Sequence, residues 1–297
     1  MSLKLSFPAG SFANTGDAFS FIYPFLHFDI RFINASPSRQ GAQLFDKAQV
    51  VELTKDLAVN NDDYLALHDG AVMEDLGDDN INFVVYRRKP GYQLELFSIN
   101  AASPGSIDIT SLINAAGSRG FTMAIYTDHQ KSRWQSELFV HHYEEAGRPH
   151  AHLRKIEHPL FTKHYGPVID LSQNPGHEIQ TYSMCLAAAP EMWFGPGSWL
   201  YFDQERVRSF TGALAITAPA PDIVYVHLFD RSIPDYETPE ILALQQQFRQ
   251  WVDMDAVEAG LHDKLGPHIV AGTPVIETIT FTDIIEVDDP EFGEDDE

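Results

Sequence analysis

Apolar and polar positions alternate most clearly in a few short runs. Residues 81–100, "INFVVYRRKPGYQLELFSIN", set two β-branched and aromatic stretches on either side of Lys89-Pro90-Gly91. A Pro-Gly pair suits a turn, so this segment predicts a β-hairpin. A two-residue period also predicts strands at "FTMAIYT" (121–127), "EIQTYSMCLAAA" (178–189), "DIVYVHLFD" (222–230) and "TPVIETITFTDIIEV" (273–287). The aromatic run "FSFIYPFLHFDIRFIN" (19–34) contains Pro24, which predicts a pair of short strands or a bulged edge strand.

Helical spacing is clearest in "TPEILALQQQFRQWV" (238–252). Thr238 is placed to cap it, Pro239 suits the first helical position, and Ile241, Leu244, Phe248, Trp251 and Val252 make an apolar stripe. Val257, Leu261 and Leu265 predict a shorter helix ending near Gly266. "FDKAQVVELTKDLAV" (45–59) predicts another, with Asp46 as N-cap and Val50, Leu53 and Leu57 on one face. Asp203 caps a short helix in "DQERVRSF" (203–210).

Two regions give less. "NNDDY" (60–64) and "HDGAVMEDLGDDN" (68–80) are acidic and turn-rich, with little core expected between them. Residues 128–147 fit one helix from Asp128 to Gly147, lined by Trp134, Leu138 and His142, but "ELFVHHY" fits a strand equally. Beyond them Pro149, Pro159, Pro167 and Pro175 cut the chain into short pieces. Regular strand–helix alternation is absent, so the expected class is α+β, with a mainly antiparallel or mixed sheet, a few packed helices and no Rossmann arrangement. Residues 1–150 and 151–285 are read as two domains or two halves of one, followed by an acidic, disordered tail at 286–297. "AQLFDKAQVVEL" (42–53) faintly parallels "SWLYFDQERVRSF" (198–210), and "INFVVYRR" parallels "IVYVHLFDR", a hint of internal duplication.

Charge narrows the partners. The chain of 297 residues carries a net charge of −23. Residues 181–297 hold 22 of the acids against 5 Lys or Arg. Binding to nucleic acid or to an anionic membrane needs the opposite balance, so neither is expected, whereas a basic protein would be attracted. No run of eighteen or more apolar residues suggests a membrane helix, and "MSLKLSFPAGSF" makes a poor secretory signal. One cysteine, Cys185, rules out an internal disulfide. The absence of any disulfide framework fits a reducing, cytoplasmic compartment, and the apolar neighbours of Cys185 predict a buried structural thiol.

Candidate chemistry centres on "HHYEEAGRPHAHLRKIEHP" (141–159), which holds five of the thirteen histidines. If residues 150–152 are extended, His150 and His152 point to one face, roughly 6.5–7 Å apart. Glu157 then offers a third ligand, and two histidines with a carboxylate suit one divalent transition metal. His177 or His227 could join from elsewhere in the fold. His-Ala-His followed by four residues and Glu resembles part of the first metal motif of the cupin family. That resemblance spans eight residues, 150–157, and implies a metal-dependent enzyme. It departs from the motif where a glycine is due: His164 stands there, and Gly166 follows; no second motif is visible. The solvated-surface reading competes, since Arg148, Arg154, Lys155 and Lys163 alternate with Glu144, Glu145 and Glu157.

Other features are weaker. "HDG" (68–70) offers His68 and Asp69 as ligands, and Glu191, Asp203 and Glu205 could share acid and base roles. Nucleotide, phosphate-loop and zinc-protease fingerprints are missing, so no cofactor is expected apart from that alternative metal. "EMWFGPGSWLYF" (191–202) offers Trp193, Phe194, Trp199 and Tyr201 as rigid anchors for a partner or sugar, if they are exposed. Three functions follow. The first is a non-enzymatic acidic protein binding a basic protein partner, in the manner of antidote or immunity proteins. The second is a cupin-like metal enzyme at His150 and His152, and the third a carbohydrate or small-ligand binder at residues 193–202. The balance leans away from an enzyme, and oligomeric state stays open.

Overall fold

Residues Ser2–Pro8 form the first strand, β1, with Leu3, Leu5 and Phe7 buried on one side and Lys4 and Ser6 directed to the other. The computed structural model describes residues 1–34, 43–60, 64–70, 81–88, 92–158 and 161–262. The further strands are β2 (Phe32–Asn34), β3 (Gln43–Leu44), β4 (Tyr64–His68), β5 (Phe83–Arg88), β6 (Leu94–Asn100) and β7 (Met123–Thr127). After them come β8 (Lys155–Ile156), β9 (Val168–Ile169), β10 (Ile179–Gln180), β11 (Cys185–Leu186), β12 (Glu191–Phe194), β13 (Ala215–Ala220) and β14 (Ile223–His227). The helices are α1 (Thr15–Ile22), α2 (Val50–Asn60), α3 (Ile109–Ser118), α4 (His129–Gln135) and α5 (Val140–Glu145). They continue with α6 (Thr162–Tyr165), α7 (Gln204–Ser209), α8 (Pro239–Trp251) and α9 (Met254–His262).

Ten strands make one sheet in the order β13-β14-β12-β7-β1-β6-β5-β4-β2-β3, and every pairing is antiparallel. The fold is α+β, without the parallel sheet of a doubly wound protein. Strands from both sides of position 150 enter the same sheet. One face is covered by α1, α2 and α3 over a core that includes Leu5, Phe7, Phe19, Tyr86 and Phe97. The opposite face carries α7, α8, α9 and the β10–β11 hairpin over Met123, Ile125, Met192, Phe194, Val226 and Phe248. A smaller cluster gathers Leu138, Tyr143, Phe161, Val168, Ile169 and Leu171 around α5, α6 and the β8–β9 pair. Among the described residues no helix is long and apolar enough to cross a membrane.

The hairpin expected at 81–100 is present as β5 and β6, paired from Phe83↔Asn100 to Arg88↔Glu95; its turn, 89–91, lies outside the described residues. Leu265, Gly266, the strand expected at 273–287 and the tail at 286–297 also lie outside them. Thr238, Asp203 and Asp46 each cap a helical turn as expected, Asp46 through a short 3-10 turn that leads into α2.

Four expectations are corrected. The run 19–34 is largely helical, because Asn14 accepts the Asp17 N–H at 2.9 Å and starts α1, burying Phe19 and Ile22 one turn apart. Pro24 then falls in the first turn of a 3-10 segment, Tyr23–Phe25, where no amide donor is needed, and only Phe32–Asn34 is strand. Between the acidic stretches 60–64 and 68–80 lies β4, with four of five residues buried. Residues 128–147 form two helices, not one: Asp128 caps α4, the chain breaks at 136–139, and Leu138 packs into the small cluster. Residues 178–189 fold back as two short strands around a turn in which the Thr181 N–H donates to the Met184 carbonyl at 2.8 Å.

The parallel between 42–53 and 198–210 is local, an Asp-capped helix start in each. Moving outward from the β1–β7 pair, neighbours run β1-β6-β5-β4 on one side and β7-β12-β14-β13 on the other. The two halves therefore follow different chain orders.

Candidate functional site

β1 is central and covered on both faces, so its polar residues need partners. Ser6 Oγ accepts the Cys185 N–H of β11 at 3.0 Å. Lys4 Nζ forms an ion pair with Glu178, the residue before β10, and the Cys185 thiol donates to Glu178 Oε1 at 3.3 Å. Burial alone would lower the Lys4 pKa, but the charge and hydrogen bond of Glu178 outweigh it and hold the ammonium above its usual range. Burial first, and the Glu178 charge next, push the Cys185 thiol well up, which leaves it protonated and unreactive. Cys185 is buried, as its apolar neighbours predict.

The Lys4–Glu178 pair forms part of the wall of a cavity of about 290 Å³. α4 supplies His129, Ser132 and Arg133 to the same cavity, and Ile125, Ala187, Ala189 and Pro190 form its apolar wall. Ser136 Oγ accepts the Glu178 N–H at 2.9 Å and so ties the end of α4 to the hairpin. Behind it Gln135 and Gln245 are buried amides that bond each other, at 2.8 Å and 3.2 Å, and also reach the carbonyls of Tyr236 and Ala188. These bonds anchor α4 against α8 and give the cavity a rigid side.

The expected metal residues are not brought together. Residues 150–153 form a turn, with the Leu153 N–H donating to the His150 carbonyl at 3.1 Å, so the extended geometry that would align His150 and His152 is absent. His150 is half-buried near Tyr143, with its Nε2 3.6 Å from Glu144, whereas His152 and Glu157 are exposed. Among the described residues no three His, Cys, Asp or Glu side chains are gathered to hold a metal ion. His177 is buried beside Glu258, and His227 lies on β14 near Tyr225. His68 stacks on Phe32, and Asp69 accepts two bonds from Asn82, so the 68–70 turn holds β2 and β5 in place.

The aromatic segment does not form one platform. Successive residues of β12 face opposite sides of the sheet, so Trp193 packs on Tyr225 at 4.8 Å while Phe194 is buried against Phe202 and Phe248. Trp199 is half-buried, stacks on Phe194 and donates Nε1–H to the Asp222 carbonyl at 2.8 Å; Tyr201 is half-buried too. The exposed apolar residue of this segment is Leu200, 81% accessible. Glu191 accepts the Tyr225 hydroxyl proton, Asp203 caps α7 and Glu205 pairs with Arg208, so each of these carboxylates has a structural partner.

The Lys4–Glu178 cavity escaped the sequence reading. Lys4 carried a signal, a charge alternating with Leu3, Leu5 and Phe7, but Glu178 lies 174 positions away and nothing local marks it. No family model matches this chain, and neither the curated proteins nor the solved structures give a match.

Proposed function

We propose that this chain is a non-enzymatic interaction protein of the cytoplasm, whose acidic surface receives a basic protein partner in the manner of antidote or immunity proteins. The observation that carries this reading is the charge of its last 117 residues, 22 acids against 5 Lys or Arg. The four arginines of residues 181–262 are each paired with carboxylates, Arg206 with Asp253, Arg208 with Glu205, Arg231 with Glu191, and Arg249 with Asp255 and Glu258. Each cancels one acid, and the excess of acids is left without basic partners in this part of the chain. A field of this sign raises the encounter rate with a basic protein and weakens as salt screens it.

The test is binding to a panel of folded basic proteins of similar charge, at about 50 mM and about 500 mM NaCl. Selective, saturable binding of one member, at least about tenfold weaker at the higher salt, is the expected result. Binding of none, or equal binding of all, would overturn the reading.

A further inference from the structure

The cavity beside Lys4 departs from the charge pattern of the rest of the molecule. In a chain of net charge −23, its charged lining is balanced, Lys4 and Arg133 against Glu137 and Glu178. His129 and Arg133, four positions apart on α4, are exposed at its mouth, whereas Glu137 is largely buried and paired with His142 at 2.8 Å. Among the described residues no carboxylate lies within ion-pair distance of Arg133. Its guanidinium instead rests 4.8 Å from the centre of the Trp134 ring, which holds the donor fork in place. Arg148 lies 4.7 Å from the same ring and is itself paired with Asp235 and Glu237.

The deeper charged pair is also informative. A well-packed hydrophobic pair is commonly as stable as a buried ion pair of similar volume, so stability gives little reason for Lys4 and Glu178 at a covered central strand. Both stay partly accessible, with 30% and 26% of their side chains exposed where the cavity opens on them. They therefore present a donor and an acceptor to whatever fills the space. Two other cavities, near Tyr182 and near Val257, hold a single charged lining residue between them, Asp253.

We propose that this cavity binds a small carboxylic acid bearing a hydroxyl or amino group. Arg133 and His129 take its carboxylate at the mouth, while Lys4 and Glu178 take the hydroxyl or amino group within. At about 30 Å³ per water-sized group, the cavity holds a ligand of about ten non-hydrogen atoms. Ile125, Ala187 and Pro190 offer its carbon skeleton an apolar wall. Fixed polar groups at two ends and an apolar side make a site selective for length as well as charge. The site is separate from the acidic surface, so either assignment can fail without the other.

The experiment titrates the full chain with the common L-amino acids and with lactate, malate and citrate, followed by protein-observed NMR and calorimetry. Saturable binding of at least one compound is expected, weakened about tenfold or more in R133Q, which removes a charge from an exposed rim position. The double variant K4Q/E178Q should weaken the same compound, and its melting curve shows whether it is folded. R154Q, which alters an arginine outside the cavity lining, should bind as the wild type does. No saturable binding by any compound, or binding unchanged in R133Q, overturns the proposal.

Discussion

Arg249 and Gln245 lie on α8 among residues that its apolar spacing assigns to the core, and both are buried, while Trp251 is 45% exposed. Each is tolerated because its main polar atoms find partners: Gln245 bonds Gln135 and Ala188, and Arg249 reaches Asp255 through Nε and Glu258 through Nη2. The Arg249 Nη1 has no hydrogen bond among the described residues. Glu258 also faces His177, 3.8 Å away. Burial works against its charge, but the neighbouring His177 and the charge and hydrogen bond of Arg249 prevail and hold Glu258 at about 2, below its ordinary 4.5. A carboxylate whose pKa is lower in the folded state stabilises fully above its unfolded value. That contribution disappears as the pH falls from 4.5 toward 2. At neutral pH it is on the order of 3 kcal/mol. Denaturant titrations across this range should show wild type converging on E258Q in acid and exceeding it at pH 7. A constant difference at all pH values would remove Glu258 from the acid response.

At the scale of elements, the turn after β12 is clamped to the start of β7. The Gly195 N–H donates to the Thr122 carbonyl at 2.8 Å and the Gly197 N–H to the Phe121 carbonyl at 3.0 Å; Ser198 Oγ also donates to Thr122. A Cβ at Gly195 would stand 2.4 Å from the Phe121 carbonyl oxygen, so the glycine is required by close approach. G195A should cost about 1–3 kcal/mol in urea denaturation and shift the near-ultraviolet signal of Trp199, which stacks beyond the turn on Phe194. Equal stability would mean that the turn lifts away freely. Much of this element-level order was readable in advance. Thr238, Asp203 and Asp128 are caps recognisable in sequence, and β5 with β6 announce themselves by alternation around a Pro-Gly turn. α1 was not, because its aromatic residues obscure a cap that lies upstream at Asn14.

For the whole molecule, a charge of −23 is unfavourable to compactness, since like charges repel more when folded together. Raising NaCl from about 10 mM to about 150 mM shortens the screening length from about 30 Å to about 8 Å. The melting temperature should therefore rise over this interval. A fall would mean that screening weakens the ion pairs, such as Arg119–Asp17 and Arg206–Asp253, more than it relieves the repulsion.

The sequence by itself determined the α+β class, the main caps and strands, the buried state of Cys185 and the acidic balance, because each depends on residue type and short-range spacing. Only the tertiary structure decided the rest. It turned 150–153 away from the extended form that two aligned histidines need, and it sent Trp193 and Phe194 to opposite faces of the sheet. It also placed Glu178 beside Lys4, through a hairpin laid across the central strands. A pair so distant in sequence meets only when the sheet order is fixed, and that order depends on long-range burial that no local pattern encodes.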